Sequence, residues 1–115
     1  MDIFFPEDEL RRVAPEETSI LSLDAAPYPD GERVRVNIRM TPFQKRPHLE
    51  VRVMDANGDE VATASIVEPM GWNLEFTLHL RGATGSPFRI ESRLFYPDGP
   101  EAPLVSQVFE GIRAP

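Results

Sequence analysis

Along most of the chain, hydrophobic and polar residues alternate with a period of two. The clearest run is 32–40, where Val34, Val36, Ile38 and Met40 alternate with polar side chains. Since successive side chains of a strand point to opposite faces, this pattern predicts a strand that buries only one face. The same reasoning predicts seven strands, over residues 19–25, 32–40, 48–54, 60–67, 72–80, 88–96 and 104–110.

The strongest local signal lies in residues 49–67, which read as a β-hairpin. Two alternating runs are joined by Asp55-Ala56-Asn57-Gly58-Asp59, and Asn-Gly tolerates the positive φ of a tight hairpin turn. The acidic residues also suggest a calcium loop, which requires glycine at position six and glutamate at position twelve. Counted from Asp55, glycine stands at position four and Ile66 at position twelve. The turn therefore explains these residues, and no metal site is predicted.

Seven short strands separated by turn signals, with no helical pattern among them, predict a single antiparallel β-sandwich. The pattern over 18–110 resembles immunoglobulin-like and fibronectin type III-like sandwiches, without the cysteine pair of true immunoglobulin domains. The predicted arrangement sets strands one, two and five, with strand four as a further candidate, against strands three, six and seven. Small residues over 62–65 leave the facing of strand four open, and they are typical either of an edge strand or of a place where another segment packs closely.

The tetrapeptide Tyr-Pro-Asp-Gly occurs twice, at 28–31 and at 96–99. The sequences around the two copies do not repeat, which argues against an internal duplication. Proline fixes φ and glycine admits the left-handed region, so both copies are predicted to be tight turns.

Residues 1–17 are predicted to form an acidic arm, and residues 18–115 the sandwich domain. Pro6 suits a first helical position, acidic residues follow it, and Pro15 ends the short helix. Two helical turns are not stable alone in water, so the arm must dock on something. It either plugs one end of its own domain or docks on a partner. The apolar residues available for this are Ile3, Phe4, Phe5, Leu10 and Val13.

Composition places the chain among ordinary globular domains. It has 115 residues, 41% of them hydrophobic and 27% charged, enough to form one core without staples. The absence of cysteine excludes disulfides and thiolate metal sites and favours a reducing compartment. No stretch is apolar enough for a membrane helix, and the N-terminus lacks the basic region of a signal peptide. These features predict a cytoplasmic protein that does not bind membranes.

The net charge of −7 is unevenly distributed. Residues 1–32 hold nine acids and two bases, whereas residues 33–93 hold nine bases and seven acids. Binding to nucleic-acid phosphates depends on clustered positive charge, so nucleic acid is not predicted as a partner. The charge distribution still allows a local basic face on the sheet region, residues 33–93.

Two interpretations apply to the outward-facing arginines. If strands two and five are neighbours, Glu75 lies within the arginine stripe and forms a cross-strand ladder of opposite charges. Alternatively, the stripe recognises an anionic surface, such as the acidic arm of another copy. The interspersed acids favour the ladder, and a second ladder is predicted across strands three and six. The stripe comprises Arg33, Arg35, Arg39 and Arg81, and the second ladder Glu50, Arg52, Arg89, Glu91 and Arg93.

Met54, Phe95 and Val108 are apolar residues at positions predicted to face outward on one sheet. Single exposed hydrophobic residues are ordinary, but a contiguous patch on a sheet face marks an interface. The predicted function is a non-enzymatic module that binds a protein partner or forms a homodimer.

The alternative function is binding of a small carbohydrate or other ligand through the loop that precedes strand three. It would use Phe43, Lys45, Arg46 and His48 together with Trp72, although Trp72 is also predicted to be largely core. Loops at the ends of a rigid sandwich often carry binding residues.

An enzyme is the least favoured class. His48 and His79, the two histidines of the chain, fall on different predicted strands. Zinc requires three or four ligands, and a nucleophilic triad requires a base held by an orienting acid. No spacing in the sequence provides either arrangement, so no catalytic residue, metal or cofactor is predicted.

Overall fold

The computed structural model describes residues 11–81 and 86–111, and this part of the chain is nearly all β. A single 3-10 turn, Pro15–Glu17, precedes the first strand. The strands are β1 (Ile20–Pro27), β2 (Arg33–Met40), β3 (His48–Met54), β4 (Glu60–Val67), β5 (Asn73–His79), β6 (Phe88–Phe95) and β7 (Val105–Phe109).

The strands form two antiparallel sheets, one ordered β1-β2-β5 and the other β4-β3-β6-β7. Alternate side chains of each sheet point into the space between them, where they are removed from water. The predicted antiparallel sandwich of seven strands is confirmed. Its fully buried centre is formed by Leu23, Val34, Val36, Ile38, Leu49, Val51, Val53, Ile90 and Leu94.

The placement of strand four with strands one, two and five is wrong, because β4 pairs with β3 at the edge of the four-stranded sheet. The tight turn over 55–59 joins β3 directly to β4 and so makes them neighbours in one sheet. This predicted hairpin is confirmed. The Asp55 carboxylate accepts the N–H groups of Asn57 and Asp59, each at 3.0 Å, and Gly58 has a φ of 86°. This acidic side chain closes the turn, and no metal is needed to explain it.

The facing of β4 follows from a register shift at its start. Val53 pairs with Ala62 and Met54 with Glu60, so Val61 is an extra, unpaired residue. Such a bulge shifts which side chains face inward. After it, Ala62, Ala64 and Ile66 pack against the core, while Thr63, Ser65 and Val67 are exposed.

The predicted N-terminal helix does not extend to Val13, which is extended and forms a parallel bridge with Phe43. Its N–H donates to the Pro42 oxygen at 2.8 Å, and its carbonyl accepts the Gln44 N–H at 3.0 Å. Main-chain pairing with the 41–47 loop therefore replaces helical bonds in this segment. Residues 6–10 of the predicted helix, and with them the predicted docking residues Phe4, Phe5 and Leu10, lie outside the described residues.

Both Tyr-Pro-Asp-Gly segments form the tight turns that the sequence predicts. The N–H of Gly31 donates to the Tyr28 oxygen at 3.1 Å, and that of Gly99 to the Tyr96 oxygen at 2.8 Å. The left-handed residue differs between them. It is Gly31, with φ 72°, in the first turn and Asp98, with φ 59°, in the second.

Ser92 interrupts the apolar inner face of β6, between Val51 of β3 and Val105 of β7. It is fully buried, and its hydroxyl has no hydrogen-bond partner among the described residues. A buried hydroxyl without a partner loses its bonds to water and costs about 1–3 kcal/mol.

We expect Ser92→Ala to leave the free energy of unfolding unchanged or to raise it by up to about 1 kcal/mol, because the unpaired hydroxyl is removed. Urea denaturation measures the change, and Ser106→Ala, at an exposed position of β7, is the matched control. A loss of more than about 1 kcal/mol would show that the Ser92 hydroxyl has a stabilising partner.

Tyr96 joins three separate segments through its buried hydroxyl. The hydroxyl donates to the Lys45 carbonyl oxygen at 2.7 Å and lies 3.1 Å from Oγ1 of Thr18. Thr18 in turn donates to the Ala14 carbonyl at 2.9 Å. Burial raises the pKa of Tyr96 above its ordinary value of 10.0, since the charged phenolate is poorly solvated there.

We expect Tyr96→Phe to lower the free energy of unfolding at pH 7 by about 1–2 kcal/mol, because buried acceptors lose their partner. A group whose folded pKa is raised loses stability as the pH rises from 10.0 through that folded value. The deficit of the variant relative to the wild type should therefore shrink above pH 10.

Thermal unfolding as a function of pH tests this expectation. Tyr28→Phe is the control, because the pKa of Tyr28 is lowered instead, chiefly by its hydrogen bond with Thr77. If the alkaline loss of stability persists unchanged in Tyr96→Phe, another group is responsible for it.

Candidate interaction surface

The outward face of the four-stranded sheet carries the predicted ladder of alternating charges. Arg93 contacts Glu50 at 2.8 Å and Glu101 at 2.6 Å. Arg52 contacts Glu91 at 3.0 Å. The register makes this possible, because Glu50 lies opposite Arg93 and Arg52 opposite Glu91. The predicted ladder across strands three and six is confirmed for Glu50, Arg52, Glu91 and Arg93, which neutralise the centre of this face. Arg89 does not join it, because its cross-strand neighbours are Met54 and Val108.

The three predicted interface residues lie on this same face but not together. Met54 and Val108 each pair with Arg89, at one end of the sheet. Phe95 pairs with His48 at the other end, six residues away along the strand, or roughly 20 Å. It is covered by the guanidinium of Arg93, 4.3 Å from its ring centroid. The contiguous patch therefore does not form, because the charge ladder separates its two parts.

The residues of the alternative ligand site are also dispersed. Phe43 is 5% exposed and belongs to the core, whereas Trp72 is half-buried rather than largely core. The two rings meet edge to face with centroids 6.1 Å apart, and the Arg12 guanidinium lies 5.6 Å from the Trp72 ring centroid. His48 contacts Phe95 on the sheet face instead, with ring centroids 5.6 Å apart and the ring planes tilted by 45°. Among the described residues of this predicted site, no pair of exposed rings forms a platform.

On the three-stranded sheet, β2 and β5 are neighbours, which meets the condition for an arginine stripe, and part of that stripe forms a cluster around Tyr28. The guanidinium groups of Arg33 and Arg35 lie 4.3 and 5.6 Å from its ring centroid. Each arginine has an acidic partner, Asp30 at 2.7 Å and Glu75 at 3.5 Å. The backbone N–H of Glu32 and the Arg33 side chain lower the pKa of Asp30.

The remaining two arginines of the stripe lie apart from this cluster. Arg39 is flanked in the sheet by Ser22 and Asn73, both uncharged. Arg81 follows β5, and its N–H donates to the Val61 carbonyl at 3.0 Å. The predicted cross-strand ladder therefore holds for Arg35 with Glu75 of β5. Arg33 is paired instead with Asp30, three residues before it in the turn.

The two histidines occupy different sheets, His48 on β3 and His79 on β5. Across residues 11–81 and 86–111, no three histidine or acidic side chains come close enough to hold a metal ion. Nor does any helix in that part of the chain have the length and apolar character needed to cross a membrane.

The outer edge of β4 is a feature that the small residues over 62–65 suggest but that the sequence leaves open. The N–H of Glu68 donates to the Pro47 oxygen at 3.0 Å, so that group points towards β3. Because main-chain groups along a strand alternate in direction, the N–H and C=O groups of Val67, Ser65 and Thr63 point away from β3. No other described strand pairs with them.

A second contact agrees with this direction. The Val61 carbonyl, at the start of the same edge, accepts the N–H of Arg81 from outside the sheet. Beyond that bond, the edge continues from Ala62 to Val67 with side chains that are small or β-branched. It presents an ordered row of donors and acceptors.

The sheet edges of this molecule differ in how they are protected. Proline, charged residues, short length and bulges all discourage pairing with another chain. β1 ends in Pro27 and has a register shift near its start, β5 carries Glu75 and His79, and β7 has five residues. β4 has a bulge at Val61, but residues 62–67 beyond it contain neither proline nor charge, so this part of the edge has the least protection. In the sequence, this uncharged run is the signal that indicates an unprotected edge.

Comparisons with known proteins add little. No protein-family model matches the chain, and no curated protein matches it. A solved structure that it resembles is the glycoside hydrolase domain of Endo-D from Streptococcus pneumoniae R6, with 9% identity and a TM-score of 0.45. The match covers 91% of the present chain but 16% of that chain. A likeness at this level says nothing about what the present chain binds.

The ladder gives a prediction with a defined pH dependence. The guanidinium of Arg93 lowers the pKa of Glu101 below its ordinary value of 4.5. A group with a lowered folded pKa stabilises above its unfolded value and loses that contribution as the pH falls through the folded one. We expect Glu101→Gln to lower the melting temperature slightly at pH 7 and to have no effect at strongly acidic pH.

Melting curves between pH 2 and 7, at low and high salt, measure this effect; added salt should reduce it because the pair is exposed. The control is Glu110→Gln, an exposed acid that forms no ion pair with a described residue. An effect of Glu101→Gln that is equal at pH 2 and pH 7 would contradict an electrostatic origin.

Proposed function

We propose that this chain is a non-enzymatic, cytoplasmic β-sandwich module that binds protein through the open edge of β4. The single observation that carries the proposal is the row of outward-pointing main-chain groups at Thr63, Ser65 and Val67, without proline or charge to block it. An extended segment from another protein can add to such an edge as a further strand.

The neighbouring face supplies a means of selecting the added strand. A shallow groove of about 470 Å³ borders β4, and Thr63, Ser65, Arg52, Arg93 and Leu104 contribute to its lining. Main-chain bonds give affinity in strand addition, and pockets for alternate side chains give specificity. Leu104, which is 56% exposed, offers an apolar contact beside the charged ladder.

The fold-level resemblance is compatible with this function but does not select it. The sequence pattern resembles immunoglobulin-like and fibronectin type III-like sandwiches, and the strand order β1-β2-β5 against β4-β3-β6-β7 is compatible with an arrangement of that kind. Such folds host many functions, so the proposal depends on the edge and not on the resemblance.

Ser65→Pro tests the edge directly. The Ser65 N–H points away from β3, so proline removes an edge donor and leaves the β3–β4 ladder intact. We expect a protein captured from the native host by the wild-type chain to be lost with Ser65→Pro and retained with Ser65→Ala, which keeps the N–H. Circular dichroism and melting curves would establish that the proline variant is folded.

Equal capture by all three chains would contradict the edge as the binding surface. A folded wild-type chain that captures nothing in its native host, at concentrations where Ser65→Ala also captures nothing, would contradict protein binding itself.

A further inference from the structure

We propose that the partner of the β4 edge is the β4 edge of a second copy, paired antiparallel about a twofold axis at Ser65. This inference rests on the proposed function and names the partner. A twofold axis brings the same surface patch together from both copies, so the edge must be complementary to itself. The two four-stranded sheets would then form one continuous sheet of eight strands.

The direction of the main-chain groups restricts the pairing. Because Thr63, Ser65 and Val67 point outward, only these odd-numbered residues can form hydrogen-bonded pairs with the partner strand. With the axis at Ser65, each Ser65 lies opposite the other, and Thr63 lies opposite the partner's Val67. This register satisfies all of the outward groups and makes about six main-chain hydrogen bonds.

The neighbouring registers are less favourable. An axis at Ala64 sets Glu60 of each copy opposite Glu68 of the other, and like charges directly opposite are destabilising. An axis at Ile66 sets Pro69 opposite Thr63, where proline has no N–H to donate. The axis at Ser65 sets Glu68 opposite Ala62, so no two charges face each other.

Side-chain burial favours the same register. On the inner face, Ala64 lies opposite the partner's Ile66, which extends the apolar surface of the sheet across the axis. On the outer face, Val67, which is 64% exposed, is covered by Thr63 of the other copy. The area involved is smaller than that of a standard interface, so the association is expected to be weak and dependent on concentration.

The absence of cysteine from the sequence allows a test that reads the register. In hydrogen-bonded antiparallel pairs the Cα atoms are about 5.5 Å apart, within the range that a disulfide spans. Under mild oxidation we therefore expect the Ser65→Cys variant to form a covalent dimer at least about tenfold faster than Thr63→Cys. In the proposed register, the two introduced thiols of Thr63→Cys are four residues out of alignment, or roughly 13 Å apart.

Thr63→Cys is the matched control, because Thr63 is an exposed position of the same edge. Its rate of covalent dimer formation measures disulfides that form through random collisions. Equal rates for the two variants would overturn the self-pairing. As a second measurement, sedimentation should show Ser65→Lys and Ser65→Glu to be monomeric when separate and to associate when mixed, since the mixture sets opposite charges across the axis.

The outcome separates the two proposals. If Ser65→Pro abolishes capture of another protein while the two cysteine variants dimerise equally slowly, the edge is a protein-binding site and self-pairing is wrong. If Ser65→Cys dimerises selectively and the chain captures only itself, both proposals stand. If neither effect occurs, both fail.

Discussion

Each strand of this chain has a single apolar face, and the two sheets can remove those faces from water only by packing on one another. Val34, Val36 and Ile38 of β2 belong to one core cluster with the inner residues of β3 and β6, and their exposure is essentially zero. Each such side chain contributes about 1.5–3 kcal/mol when fully buried. The outward residues are left to water, and so both faces of the sandwich are available for polar contacts.

The need to bury one face of each strand explains how much of the fold can be predicted from the sequence. The alternation of valine, isoleucine and methionine over β2 predicts the strand and its facing directly. In β4, alanine, threonine and serine differ too little in hydrophobicity for a period to be read, and the bulge at Val61 shifts the inward positions. The segment before Pro15 has helix-favouring local chemistry, yet long-range bonds to the Phe43 loop override it at Val13.

The candidate surface is predictable only in part. Opposite charges on adjacent strands indicate ladders once the strand order is known, and Arg52 and Arg93 follow that expectation. The order of strands within a sheet is a long-range property, so local patterns could not show that β4 is an edge. The same limitation explains why the sequence predicts one patch from Phe95 and Met54. The alternation shows that both side chains face outward, but it does not show how far apart they lie along the sheet.

The packing of Trp72 has a further consequence. It is the single tryptophan of the chain, and it lies between Phe43 of the core and Arg12 of the segment that precedes the sandwich. Because Val13 bonds to the main chain on both sides of Phe43, release of this segment would also uncover one side of the indole. The intrinsic fluorescence of the protein is therefore a built-in optical reporter of whether that segment is attached.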